Sequence, residues 1–200
     1  MPKRKPSAAR PASDQIRQEI RRVETRSRFG SVMRNTLAVL LSIAAIAVLV
    51  ATFLMPVFRI YGTAMVPTIS ENEIVVALKT RSPEKGDIIA FYYNNRILVR
   101  RIIAGPGDLV SVDEYGNVEV DYRRIVERYA RPKANGGSDV EYPVRVPDDG
   151  WFVLGDNRTG SIDSRHSVIG CVTQDQLIGK VVCCIWPFNA IRVFEPVSFY

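Results

Sequence analysis

Hydrophobic and polar positions divide the 200-residue chain into three unequal stretches. From Leu37 to Val57 no side chain is charged, and Ser42 and Thr52 are the conspicuous polar ones. At about 1.5 Å of rise each, residues 37–57 reach roughly 30 Å, the thickness of a bilayer's hydrocarbon layer. A cleavable signal sequence has a shorter apolar core of about 7–15 residues. Residues 36–58 therefore read as an uncleaved transmembrane anchor. Residues 1–12 are Lys, Arg, Pro, Ser and Ala with almost nothing to bury, and read as a disordered tail. Ser13 is placed to cap a short helix from Asp14 to about Arg28, with Ile16, Ile20 and Val23 on one face. Two readings of that helix stand side by side: one lies on the inner leaflet, the other is a solvated helix or frayed linker.

Beyond the anchor the pattern changes to short apolar runs broken by turn signals. Glu73–Lys79 and Asp87–Tyr93 are strand-like and separated by a Ser82–Gly86 turn. Asn94-Asn95 makes a tight turn into Arg96–Ile103, which ends at Gly105-Pro106-Gly107-Asp108. Leu109–Val112 and Val118–Tyr122 flank an Asp113–Asn117 turn, Asn135-Gly136-Gly137-Ser138 marks a loop, and Trp151–Leu154 and Lys180–Trp186 read as buried strands. Many short strands with frequent turns predict an antiparallel sandwich or open barrel over residues 59–200. The fold class is thus mostly β, behind one N-terminal transmembrane helix.

Composition narrows this picture. A hydrophobic fraction of 46% with 24% charged residues excludes disorder throughout. The formal charge of +6 is concentrated at one end. Residues 1–35 carry ten basic side chains against Asp14, Glu19 and Glu24, a surplus of seven, so residues 36–200 sum to about minus one. Basic charge can signal nucleic acid. Here it abuts a membrane span, so it reads as a topology signal and an attraction to anionic lipid, with no nucleic-acid partner. The expected arrangement is single-pass in the plasma membrane, with residues 1–35 cytoplasmic and residues 59–200 extracytoplasmic. Cys171, Cys183 and Cys184 are odd in number, and His166 is the only histidine, so neither a metal site nor a cofactor is expected. The cysteines read as small apolar strand residues, with a bond from Cys171 to Cys183 or Cys184 as the alternative.

The candidate chemistry lies in five ordered segments. The first is Gly62-Thr63-Ala64-Met65-Val66-Pro67-Thr68, in which Pro67 holds Val66 extended and fixes its own φ. Next come Gly86-Asp87-Ile88-Ile89 and Val99-Arg100-Arg101-Ile102-Ile103-Ala104-Gly105-Pro106-Gly107-Asp108. Gly155-Asp156-Asn157-Arg158-Thr159-Gly160-Ser161-Ile162-Asp163-Ser164-Arg165 follows, then Gly170 and Ile178-Gly179-Lys180. Together they resemble the bacterial type I signal peptidases, the serine-type endopeptidases of the S26 family, in a Gram-positive-like form. The resemblance runs from residue 37 to about 187. Its patterns are Gly-x-Ser-Met-x-Pro-Thr, Gly-Asp-[Ile/Val]-Val, Val-Lys-Arg-Val-Ile-Gly-x-Pro-Gly-Asp and Gly-Asp-Asn-Arg-x-x-Ser-x-Asp-Ser-Arg.

The resemblance implies a Ser/Lys dyad, in which a lysine buried among apolar groups loses its proton and deprotonates the serine. This chain departs from it at both positions. Ala64 stands where the nucleophilic serine belongs, and a methyl group attacks nothing. Arg100 stands at the general-base lysine, and a guanidinium with a pKa above about 12 does not act as a base. By the same resemblance Ser161 matches the hydroxyl that orients the lysine, and Asp163 and Arg165 match a structural ion pair beside the site. Thr63 is set aside as a substitute nucleophile because one step along an extended segment reverses its side chain. The resemblance also implies that a signal peptide adds as a strand between Phe58–Gly62 and Leu98–Arg100. Phe58, Ile60, Tyr61, Gly62, Leu98 and Val99 then contact it.

The resulting expectation is a membrane-anchored pseudoenzyme of the signal peptidase I family. It would bind signal peptides or exported preproteins as an assembly or export helper, as some dyad-lacking relatives in Gram-positive pilus systems do. The alternatives are an active type I signal peptidase using another nucleophile, and a purely structural membrane subunit.

Overall fold

The structure, a computed structural model, describes residues 13–130, 134 and 137–200. The tail expected over residues 1–12, and Asn135 and Gly136 of the expected loop, lie outside the described residues. Contacts divide the chain into a first unit up to Ala51 and a second from Thr52 to Tyr200.

A single helix, α1 (Ser13–Leu54), replaces the two expected pieces. The helix expected to stop near Arg28 runs on through Gly30 and Ser31, because one glycine costs a helix only about 1 kcal/mol and breaks nothing. Its stretch from Val32 to Leu54, 23 residues, is long and apolar enough to cross a membrane. The helix stops just ahead of Pro56, whose ring disfavours helical backbone in the residue before it. Val57 and Phe58, assigned to the anchor by composition, belong instead to the first strand.

Among the described residues the second unit holds twelve strands. In chain order they are β1 (Val57–Arg59), β2 (Ile74–Leu78), β3 (Ile88–Tyr93), β4 (Arg96–Ala104), β5 (Leu109–Val112) and β6 (Val118–Val120). Then come β7 (Arg123–Arg124), β8 (Val144–Arg145), β9 (Gly150–Leu154), β10 (Val172–Thr173), β11 (Leu177–Trp186) and β12 (Arg192–Val193). Every pairing is antiparallel. The large sheet runs β1-β2-β11-β3-β4-β9-β10 with β12 on β11, and the small one runs β7-β6-β5-β8.

Alternation of side chains explains the core. Ile88 and Ala90 of β3 pack with Ile60, Met65, Ile69, Val75 and Val181 on one face. Ile89 and Phe91 turn to the other, against Ile102, Trp151 and Val153. Both faces of β3 are covered, so it reads as an unbroken apolar run. Asn94 and Asn95 have φ of 45° and 60°, as a tight two-residue hairpin requires, and they set the Tyr93↔Arg96 register of β3 on β4. All three cysteines are free thiols. Cys183 and Cys184 lie in β11 and Cys171 just ahead of β10.

Candidate functional site

β4 is paired by β3 over Arg96–Arg101 but by β9 only from Arg101 onward. Among the described residues no strand takes the second edge of Arg96–Arg100, and none takes the second edge of β1. A groove of about 590 Å³ is lined from both strands. All six residues expected to contact a peptide border it: Phe58, Ile60, Tyr61, Gly62, Leu98 and Val99. Ala64 and Arg100 line it too. Arg59, Met65, Arg96 and Ile97 complete the wall and are not among the peptide contacts expected from sequence. Alternation along β1 and β4 signals at most half of such neighbours, because it does not show that a strand lies open along an edge.

The segment carrying Ala64 is a turn, which corrects the expectation of an extended strand. The amide of Val66 donates to Thr63 O at 3.1 Å and that of Ile69 to Met65 O at 2.9 Å. Gly62 supplies a φ of 85° at the entry, a left-handed conformation that favours glycine. Its amide donates to Glu71 Oε1 at 3.2 Å. Thr63 is exposed and does not line the groove. That, rather than strand alternation, removes it from the site.

Arg100 is only 6% exposed. Its Nε and Nη2 donate to Ile162 O at 3.1 and 2.8 Å, and its Nη1 donates to Val99 O at 2.6 Å. Burial pulls its pKa down to about 10, with Asp163 opposing that shift and Arg165 adding to it. At neutral pH the group therefore remains a cation. Ser161 makes no hydrogen bond to it. The Ser161 hydroxyl is buried with no partner in good hydrogen-bond geometry, and it lies near enough to Asp163, as a donor, to help lower that carboxyl's pKa.

Behind Arg100 the Gly155–Arg165 loop is held by ion pairs. Arg165 grips both oxygens of Asp163 at 2.8 and 2.9 Å, and Asp163 also accepts from the Gly155 amide at 2.9 Å. Burial alone would raise the Asp163 pKa, but the Arg165 guanidinium holds it below the usual carboxylate range. Asp156 is gripped by Arg101 at 2.9 and 2.6 Å and accepts from the Thr68 hydroxyl. Arg101 also lies 4.2 Å from the centre of the Tyr129 ring. Arg158 pairs with Glu127 through two buried contacts. The sequence reading places Asp163 with Arg165, and misses Arg101 and Glu127 because no local spacing links residues so far apart. Asp87 and Lys180, from two separate motifs, meet at 2.7 Å. Lys85 and Asp108 do the same.

A family model described as signal peptidase, peptidase S26, matches residues 33–186. Signal peptidase I of Bacillus amyloliquefaciens is 30% identical over 180 residues, covering 84% of this chain and 96% of that protein. A probable signal peptidase I-2 of Synechocystis is 35% identical over 156 residues, covering 71% and 68%. A crystal structure of a signal peptidase I from Enterococcus faecalis V583 is 26% identical, with a TM-score of 0.41 over 51% of this chain and 98% of that one. An antiparallel mostly-β fold behind an apolar helix, with the S26 motifs in order, defines the class of protein. The chain belongs to the signal peptidase I family.

Proposed function

We propose that this chain is a membrane-anchored member of its family that binds signal peptides or exported preproteins without cleaving them, and so assists their export or assembly. The observation that carries this reading is the groove between two open strand edges with Ala64 and Arg100 in its wall. An extended peptide placed there adds as a strand, its backbone taking up the free edge groups and its side chains meeting an apolar wall. Chemistry is missing at both essential places. Ala64 offers no nucleophile, and Arg100 stays protonated and takes no proton from a substrate or a water. Ser161, Asp163 and Arg165 serve the frame that holds this wall. The apolar stretch Val32–Leu54 anchors the chain in the plasma membrane, with the basic residues of 1–35 in the cytoplasm beside anionic lipid and the β unit outside.

Photo-crosslinking tests this reading. A crosslinker at Tyr61, which lines the groove and is 79% exposed, is expected to capture a signal peptide. The same crosslinker at Tyr115, 77% exposed in the turn between β5 and β6, is expected not to. Equal labelling at the two positions, or none at Tyr61, contradicts a peptide-binding groove.

A further inference from the structure

Among the described residues four arginines of the β unit are buried: Arg100, Arg101, Arg158 and Arg165. Three of them face a carboxylate, on Asp156, Glu127 and Asp163 respectively. Arg100 does not. All three of its hydrogen bonds end on backbone carbonyls, and among the described residues it forms no ion pair. A guanidinium carries five N–H groups, so two are left without a partner, one on each terminal nitrogen. Burial disfavours this charge and pulls its pKa down, and the Asp163 carboxylate, already gripped by Arg165, offsets that only in part. It lines the groove together with Arg59 and Arg96, and no acidic side chain lines that groove. The remaining wall is largely apolar, with Ile60, Met65, Leu98 and Val99. Ala64 presents a methyl group that does not compete for the spare N–H groups.

We propose that Arg100 is the receptor for a free α-carboxylate, so that the groove holds the released signal peptide by its new C-terminus and not the uncut preprotein. This rests on the peptide-binding reading above and names its ligand. An uncut chain brings a neutral peptide group to the guanidinium and leaves the cation uncompensated. A chain that ends beside Ala64 brings a carboxylate, whose two oxygens match the planar fork of N–H donors. The apolar wall suits the hydrophobic body of a signal peptide, and an apolar helix long enough to span a bilayer tethers the β unit at the surface where such products remain. The reaction that supplies this ligand is hydrolysis of preproteins by a separate, active signal peptidase.

The test uses the full-length protein in lipid nanodiscs and a fluorescent peptide with a leucine-rich body ending in Ala-Gln-Ala. Affinity is measured for its free acid, its C-terminal amide, and a version extended by several residues past the terminal Ala. A fourth peptide keeps the free acid but has a polar body, as the tail of a soluble protein would. The free acid is expected to bind at least tenfold more tightly than the amide, the extended chain or the polar-bodied acid. Arg100→Gln is expected to reduce the acid-to-amide ratio to within threefold, and Arg100→Lys to restore part of it. Equal affinity for acid, amide and extended chain overturns the carboxylate assignment while leaving a peptide groove in place. Equal affinity for the polar-bodied acid overturns the signal-peptide assignment. Binding of none of the four removes this inference and the peptide-binding reading together.

Discussion

The carbonyl oxygen of Ala64 accepts a hydrogen bond from the backbone amide of Asn157 at 3.0 Å. The Asn157 side chain reaches the neighbouring Thr63 carbonyl at 3.2 Å. These bonds tie Ala64 to the loop that carries Ser161, Asp163 and Arg165. The Ala64 turn and the Gly155–Arg165 loop are therefore held as one frame. Thr68 adds a second tie across the same gap through Asp156.

Gly155 is where this tie is tightest. A Cβ there would lie 2.2 Å from Ser161 Oγ and 2.7 Å from Ala64 O, both too close to tolerate. Gly155→Ala must then push apart the Ala64 turn and the Ser161 segment of the loop. Overpacking of this kind costs about 1–3 kcal/mol. Denaturant unfolding is expected to show a loss of that size together with weaker signal-peptide crosslinking at Tyr61. A fully stable variant with unchanged crosslinking contradicts the coupling.

Much of this is legible in the sequence because it is local. The β3–β4 hairpin follows from two apolar runs and Asn94-Asn95, and the apolar helix from its length and composition. The groove residues follow from motifs in order. What is not legible is non-local or very short. β7, β8, β10 and β12 have two residues each, too few to show a period. β11 sits between β2 and β3, although about ninety residues separate it from β3 in sequence. The partners of Asp156 and Arg158 come from residues 101 and 127, and only the folded sheet brings them together. The extended form expected around Ala64 fails because Pro67 closes a turn there rather than a strand.

Arg100 and Arg101 are neighbours with opposite expected effects. Arg101→Met strands Asp156 without its partner, and breaking a buried pair costs about 3–5 kcal/mol. Arg100→Met removes a cation that has no carboxylate, so stability at neutral pH is expected to hold or rise. The sign follows from the pKa. Arg100 lies near 10 in the folded chain, below its ordinary unfolded value. The fold therefore bears the cost of the charge at neutral pH, and that cost fades as pH rises from about 10. The gain from Arg100→Met, read as unfolding midpoints, is expected to be largest at neutral pH and to shrink above pH 10. A large loss for Arg100→Met at neutral pH contradicts this. Asp163 behaves conversely: its lowered folded pKa supports the fold above its unfolded value, near about 3.9, and that support disappears as acid protonates it.

Topology follows from the charge surplus ahead of the apolar helix. Protease added outside intact protoplasts is expected to digest the chain beyond residue 58 and to spare an epitope placed at the N-terminus. A protected β unit with a digested N-terminal epitope reverses the orientation.

The most direct measurement is cleavage of a purified preprotein by the native chain, Ala64→Ser, Arg100→Lys and the double variant. A serine hydroxyl needs a base within about 2.6–3.2 Å, and Arg100 donates to such an oxygen without taking its proton. Lysine at position 100 alone has no nucleophile to activate. With both changes the buried position favours the neutral amine, and the Ser161 hydroxyl is at hand to orient it. The expected result is no cleavage by the native chain or either single variant, and weak but measurable cleavage by the double variant. Turnover by the unmodified chain would contradict a binding role without catalysis.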